Sequence, residues 1–141
     1  KIHRLELIDP LIAQHKGRIV KLMGDGALVE FGSVVEAVAC AVAIQSGMAE
    51  RKTELPEVLK HRFRIGVNTG DVIIEGDDIY GDGVNIAARV QARAQPGEVW
   101  VSRTVADLVT GSGVVFRGRG DYELKGVPGT WQLYSVDEQA A

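Results

Sequence analysis

The chain has 141 residues, of which 45% are hydrophobic and 25% are charged, and its net charge at pH 7 is −3. This length and composition predict one globular domain with a core of its own. The acidic balance argues against a nucleic-acid surface, and the single cysteine, Cys40, excludes an intramolecular disulfide.

The chain opens with a pattern typical of a helix followed by a hairpin. Residues 2–16 carry apolar side chains at helical spacing, and Pro10 either kinks this helix or opens a second one. Residues 18–31 form two apolar stretches around an Asp-Gly pair, which predicts a hairpin with Asp25 at its tip. Lys21 is unexpected in so apolar a strand. It reads either as an edge lysine with its ammonium in water or as a binding residue.

A capping box marks the next helix. Ser33 is followed three residues later by Glu36, and the apolar pattern predicts a helix from Val34 to about Arg51. The charged residues 52–60 read as a loop.

A second hairpin is predicted next, with strands over 63–68 and 71–76 joined by a turn. An acidic, glycine-rich loop at 76–83 then leads into a helix over 84–94.

The last part of the chain alternates strand and helix patterns. In order we expect a strand at 98–102, a helix at 103–109, a stretch at 114–126 that ends before a Pro-Gly turn, and a last strand at 130–136. Ser102 is placed to cap the helix that follows it. Strands mixed with packed helices predict an α+β sandwich with an antiparallel-rich sheet.

The glycine-rich loop and its helix carry the residues best suited to chemistry. The loop lacks both the ligand order of an EF-hand and the Gly-Lys-Ser/Thr of a Walker loop, so neither a calcium loop nor a P-loop is predicted. Asn85 and Arg89 lie four residues apart and therefore on one helix face. They are either a solvent-facing pair or ligands for a sugar and a phosphate. Asp25 likewise is either a turn residue or a metal carboxylate.

Five segments in order carry a family resemblance: KLMGDG, FRIGVNTGDV, DDIYGDGVNIAAR, PGEVWVS and LKG. From about Leu5 to Val136 the chain resembles the catalytic domain of class III adenylyl/guanylyl cyclases, the bacterial homodimeric type above all. The resemblance implies a ferredoxin-like or palm-type, antiparallel-rich sheet packed against helices. It also implies a catalytic domain over 1–136 and a tail over 137–141. The family's first strand, with its second metal aspartate, does not match any segment of residues 1–141, and it either precedes Lys1 or is missing from the natural chain, which would then be inactive.

The resemblance implies a role for each matching position. The positions are a metal ligand at Asp25, base-reading residues at Lys21 and Asp78, a triphosphate ligand at Lys125, a ribose ligand at Asn85 and a transition-state arginine at Arg89. The implied reaction converts ATP to 3′,5′-cyclic AMP and pyrophosphate, with two Mg²⁺ or Mn²⁺ ions per site. The implied enzyme is a homodimer whose sites take residues from both chains.

One alternative belongs to a different functional class: a cyclase-like module that binds nucleotide or dimerises without turnover. A further alternative, a diguanylate-cyclase-like palm domain, is disfavoured because the Gly-Gly-Asp/Glu-Glu-Phe signature is absent. We expect a cytoplasmic location, since a lone cysteine fits a reducing compartment and neither a signal peptide nor a membrane-spanning run is present. An upstream regulatory domain and a membrane tether before Lys1 stay open.

Overall fold

The computed structural model describes residues 7–23, 26–50, 64–70, 73–75 and 78–137, with only the backbone for 22, 23, 26, 73–75 and 78–80. Its elements are α1 (Asp9–Gln14), β1 (Gly17–Met23), β2 (Gly26–Phe31), α2 (Val34–Glu50), β3 (Ile65–Val67), β4 (Ile73–Glu75), β5 (Asp78–Tyr80), α3 (Asp82–Arg93), β6 (Val99–Ser102), α4 (Arg103–Val109), β7 (Phe116–Glu123) and β8 (Thr130–Val136). The division into a domain over 1–136 and a tail over 137–141 stays a prediction.

A four-stranded sheet in the order β3-β6-β8-β7 forms the centre of the fold. Strands β3 and β6 are parallel, and the β6–β8 and β8–β7 pairs are antiparallel. Strand β6 is buried along its whole length, because helices cover both faces of the sheet. The antiparallel-rich α+β fold that the sequence predicted is confirmed.

The side chains of β6 alternate between two hydrophobic clusters. Val99 and Val101 pack with the buried faces of α2 and α4. Trp100 points the other way and packs with Ile86 and Val90 of α3. Helix α3 therefore lies on the opposite face of the sheet from α2 and α4, which leaves its outer face exposed.

The first hairpin is confirmed, and it contains an irregularity. Strands β1 and β2 are antiparallel, and their register shifts between Ile19 and Lys21, so that Val20 is the extra residue of a bulge. Ile19 packs against the cluster of Ile12, Cys40 and Ile44 between α1 and α2, whereas Lys21 is exposed.

The predicted second hairpin is wrong. Strand β3 pairs with β6 in the central sheet, and β4 pairs with β5 through Glu75 opposite Asp78. Directly after β3, the side chain of Asn68 bonds to Ser102 and to Gly83, and residues 71 and 72 lie outside the described part of the chain. The predicted loop at 76–83 accordingly contains β5 and the start of α3.

The helices were predicted closely, with one error in a cap. In α2 the amide of Glu36 donates to Ser33 Oγ at 3.3 Å, as a capping box requires. Ser102 occupies the cap position of α4, but its hydroxyl donates to Asn68 Oδ1 at 2.6 Å and makes no cap bond. Pro10 lies in the first turn of α1, and the predicted loop at 52–60 lies outside the described residues. Within the described ranges, no helix is both long and apolar enough to cross a bilayer.

Cys40 offers a test of the packing between α1 and α2. Burial, with a smaller contribution from the Glu36 carboxylate, raises the pKa of its thiol from the ordinary 9.0 to about 11. The folded protein should therefore react with a thiolate-selective disulfide reagent about a hundredfold more slowly than the unfolded chain at pH 8. Because the pKa is raised on folding, this group's contribution to stability is complete below pH 9 and is lost as the pH rises towards 11. Stopped-flow labelling with and without denaturant measures the ratio; equal rates would show that Cys40 is accessible.

Candidate nucleotide site

The candidate site begins at the contact between β1 and β5. These strands belong to separate hairpins, and they touch each other. Strand β1 carries Lys21, whose side chain is exposed, and β5 begins at Asp78, for which the backbone alone is described. The fold thus brings together the two strands that carry the predicted base-reading residues.

Helix α3 starts two residues after β5 and contacts it. Its buried residues include Ile86 and Val90, and Asn85 and Arg89, each one position earlier, are exposed. The exposed face can therefore present an amide and a guanidinium to a ligand beside β5. Such a pair suits a ribose hydroxyl and a phosphate, which accept hydrogen bonds from both groups.

Lys125 lies in the loop between β7 and β8 and is exposed. Leu124 before it is buried in the same cluster as Ile86 and Val90. One residue further back, the carbonyl of Glu123 accepts a hydrogen bond from Arg93 of α3 at 3.3 Å. The loop is thus fixed against α3, the helix that carries Asn85 and Arg89.

Asp25 lies outside the described residues, between Met23 and Gly26, which pair with each other. Gly26 is already the first residue of β2, so it is not the turn residue that the sequence predicted. Among the described residues, no three His, Cys, Asp or Glu side chains converge on a point that could hold a metal ion.

Comparison with known sequences decides the family. The family model described as "Adenylate and Guanylate cyclase catalytic domain" matches residues 3–138. The chain belongs to this family.

Relatives of this cyclase domain agree with the assignment. "Putative adenylate cyclase 3" of Rhizobium meliloti (strain 1021) is 46% identical over 86% of the domain, which covers 21% of that protein. The chain thus spans about a fifth of the length of this curated relative.

Solved structures share its fold. A crystal structure of an adenylate/guanylate cyclase/hydrolase from Silicibacter pomeroyi has a TM-score of 0.90 and 38% identity, covering 96% of the domain and 79% of that chain. The adenylyl cyclase CyaB from P. aeruginosa has a TM-score of 0.80 at 24% identity, with the same coverage of both chains, which shows the fold alone.

Sequence reasoning missed the residues that attach α3 of the cyclase domain to the sheet. A Cβ atom built at Gly66 would clash with the amide nitrogen of Gln91 and would lie 2.8 Å from the carbonyl oxygen of Ala87. Strand β3 and helix α3 are therefore in backbone contact. The Asn68 side chain donates to the carbonyl of Gly83, in the first turn of α3, at 3.2 Å. In the sequence Gly66 looked like an ordinary strand residue and Asn68 like an ordinary turn residue, because the residues of α3 that they contact lie far along the chain.

Sequence reasoning also missed a cluster of charged and aromatic residues at the C-terminal end of α3. Arg119, at a bulge in β7, bonds to both carboxylate oxygens of Glu98 at 3.0 and 3.2 Å and lies over the Trp100 ring at 5.3 Å. Trp100 Nε1 donates to Glu98 as well, at 2.9 Å. Arg93 of α3 lies over Tyr122, whose ring meets Trp100 edge-on. This cluster fixes the outer end of α3, and its members gave no local sequence signal because they come from α3, β6 and β7.

Proposed function

We propose that this domain converts ATP to 3′,5′-cyclic AMP and pyrophosphate. The observation that carries the proposal is the contact of β1 with β5 beside the start of α3, because these elements hold Lys21, Asp78, Asn85 and Arg89. Membership of the cyclase family supports cyclic nucleotide synthesis in general, and the choice of ATP is our own inference from the residues.

Lys21 and Asp78 select adenine. Adenine offers an amino donor at N6 and an acceptor at N1, which match a carboxylate at Asp78 and an ammonium at Lys21. Guanine reverses this edge, with an acceptor at O6 and a protonated N1. GTP would therefore leave Lys21 and Asp78 without matching partners on the base, and such mismatches discriminate between substrates.

The helix α3 and the β7–β8 loop act on the rest of the nucleotide. Asn85 orients the ribose so that its 3′-oxygen faces the α-phosphorus. The 3′-hydroxyl gives up its proton to water, and its oxygen forms a bond to the α-phosphorus while the bond from that phosphorus to the bridging oxygen breaks and pyrophosphate leaves. Arg89 stabilises the negative charge that builds on the α-phosphoryl oxygens, and Lys125 holds the triphosphate.

Class III cyclases generally use divalent metals. Mg²⁺ in nucleotide sites is commonly held by one or two carboxylates together with substrate phosphates, and Asp25 supplies one such carboxylate. We propose Asp25 as a ligand for Mg²⁺ or Mn²⁺, with two ions per site. A bound metal would neutralise the triphosphate and make the 3′-hydroxyl more acidic.

The cyclase family is typically dimeric, and we propose that each site in this protein is shared between two copies of the chain. One copy supplies Asp25. The other supplies the remaining five site residues: Lys21, Asp78, Asn85, Arg89 and Lys125. A two-fold axis then produces two equivalent sites.

The full-length protein carrying Lys21→Glu together with Asp78→Cys tests the substrate assignment. We expect kcat/KM for ATP to fall at least about tenfold and the GTP/ATP preference to rise, because each lost hydrogen bond to the base costs on the order of 1–3 kcal/mol. Cyclic AMP and cyclic GMP formation are measured with both nucleotides. Lys16→Glu is the control for the Lys21→Glu half of the variant, since it makes the same charge change as that substitution at an exposed position just before β1.

An unchanged ATP/GTP preference in a folded double variant would refute the roles of Lys21 and Asp78. A wild-type protein that binds nucleotide but makes neither cyclic product would show a binding module instead of a cyclase.

A further inference from the structure

Asn68 connects three separate elements through one side chain. It follows β3 directly and is half-buried. Its Nδ2 donates to the carbonyl oxygen of Gly83 in α3 at 3.2 Å, and its Oδ1 accepts from the hydroxyl of Ser102, at the start of α4, at 2.6 Å. A carbonyl oxygen can only accept, so the Gly83 bond fixes which end of the amide faces α3.

The first turn of α3 has little support of its own. Gly81 occupies its cap position with a φ of 133° and makes no side-chain cap bond, and a further glycine, Gly83, lies in the first turn. Glycine disfavours a helix, and an uncapped start leaves amide groups without partners. The carbonyl of Gly81 accepts from the amides of Val84 and Asn85 at 3.2 and 3.3 Å.

Tertiary contacts at Gly83 hold this end of the helix in place, although the Asn68 amide donates to a carbonyl and does not cap the first N–H groups. The loop that carries Asn68 also brings Gly70 close to Gly83, where a Cβ on Gly83 would lie 3.5 Å from the Cα of Gly70. Asn85 lies two residues beyond Gly83, and Arg89 lies about one turn further. A shift of the first turn would move both side chains relative to β1 and β5.

The geometry points to Asn68 as a positioning residue that sets the first turn of α3, and through it Asn85 and Arg89, against the substrate. This inference rests on the proposed cyclase reaction. Asn68 touches no substrate; it acts through the carbonyl of Gly83. Misplacing reacting groups by about 1 Å can reduce a rate about a hundredfold.

Two substitutions separate the two hydrogen bonds of Asn68. Asn68→Asp keeps the acceptor for Ser102 but removes the donor to Gly83, whereas Ser102→Ala removes only the bond to α4. In the full-length protein we expect Asn68→Asp to lower kcat by about tenfold to a hundredfold with little change in KM for ATP. Ser102→Ala should keep kcat within about twofold once the folded fraction is corrected for. In Asn68→Asp a carboxylate oxygen would face the Gly83 carbonyl oxygen, so repulsion adds to the lost bond, and Asn68→Ala combined with Ser102→Ala tests the lost bond without that repulsion.

A double variant checks that Asn68 acts through α3. Adding Asn68→Asp to Arg89→Ala should reduce kcat by a smaller factor than Asn68→Asp does in the wild-type protein, since one of the two residues that Asn68 positions is already gone. Fully additive losses, or equal losses in Asn68→Asp and Ser102→Ala, would overturn the inference and leave Asn68 with a purely structural role.

Amide hydrogen exchange supplies a readout that needs no activity. We expect exchange over residues 84–90 to be at least about tenfold faster in Asn68→Asp than in Ser102→Ala. Unchanged exchange would refute the positioning role even if the protein proves to be a cyclase. Faster exchange in a protein with no cyclase activity would refute the proposed function and keep the structural link between Asn68 and α3.

If Asn68→Asp does not fold, Asn68→Ala combined with Ser102→Ala serves the same purpose. That pair removes the Gly83 bond without leaving the buried Ser102 hydroxyl unpaired. The same fall in kcat and the same faster exchange are expected, and their absence would overturn the inference.

Discussion

Mixing an Asp25→Ala protein with an Arg89→Ala protein is expected to restore cyclic AMP synthesis that neither variant supports alone. In each homodimer every shared site lacks one essential group, so both should be nearly inactive. In a mixed dimer one site carries both lesions and the other carries neither. Activity should therefore return to about half of the wild-type value per mixed dimer. Product formation is measured after subunit exchange, with the full-length protein.

The matched control for Arg89→Ala is Arg103→Ala, which removes the same charge from an exposed position on α4. It should remain active by itself. If the mixture stays inactive although exchange is confirmed by a tagged subunit, each site lies within one chain. The shared-site mechanism would then be wrong.

A single methyl group at position 66 is expected to cause the largest loss of stability in this domain. In Gly66→Ala the new Cβ would meet main-chain atoms of α3, 2.7 Å from the Cα of Gln91 and 2.8 Å from the carbonyl oxygen of Ala87. No rotamer change relieves a clash with backbone, so the helix must move off the sheet. We expect the free energy of unfolding to fall by at least about 3 kcal/mol, at the upper end for overpacking.

Gly32→Ala is the control for this experiment, because a Cβ at Gly32 meets no atom within 4 Å. Its free energy of unfolding in urea should stay within about 0.5 kcal/mol of the wild-type value. A Gly66→Ala protein of unchanged stability would show that α3 does not press on β3 as described.

The sequence predicted the elements whose signals are local. Helix α4 was placed at its observed bounds, and α2 was placed within a residue of its end, because capping residues and apolar periodicity act within a few positions. The first hairpin was also found, since its two strands are adjacent in the chain.

Long-range pairings could not be predicted in the same way. Strand β3 has only three residues and pairs in parallel with β6, more than thirty positions away, so its partner left no trace in the neighbouring sequence. The polar residues after it resembled a turn, and a hairpin was the wrong result. The same distance concealed the bonds from Asn68 to Gly83 and Ser102.

The candidate site was predicted only as a set of residue types in order. The structure adds that the strands of Lys21 and Asp78 touch, and that the Lys125 loop is attached to α3. The six assigned roles remain proposals. Asp25 and the side chain of Asp78 lie outside the described part of the chain.

Val20, the extra residue in β1, decides which side chains of that strand face the apolar cluster, and it does so by its presence and not by its residue type. Two residues apart, Ile19 and Lys21 would share a face in a regular strand, which would turn the lysine towards the apolar cluster that Ile19 fills. Val20 shifts this alternation by one position. Point substitutions at Val20 preserve this register shift. A single-codon deletion there would instead turn every side chain on one side of the deletion to the opposite face of the hairpin. Selection on related genes should therefore tolerate many residues at position 20 but act strongly against insertions and deletions between Ile19 and Lys21.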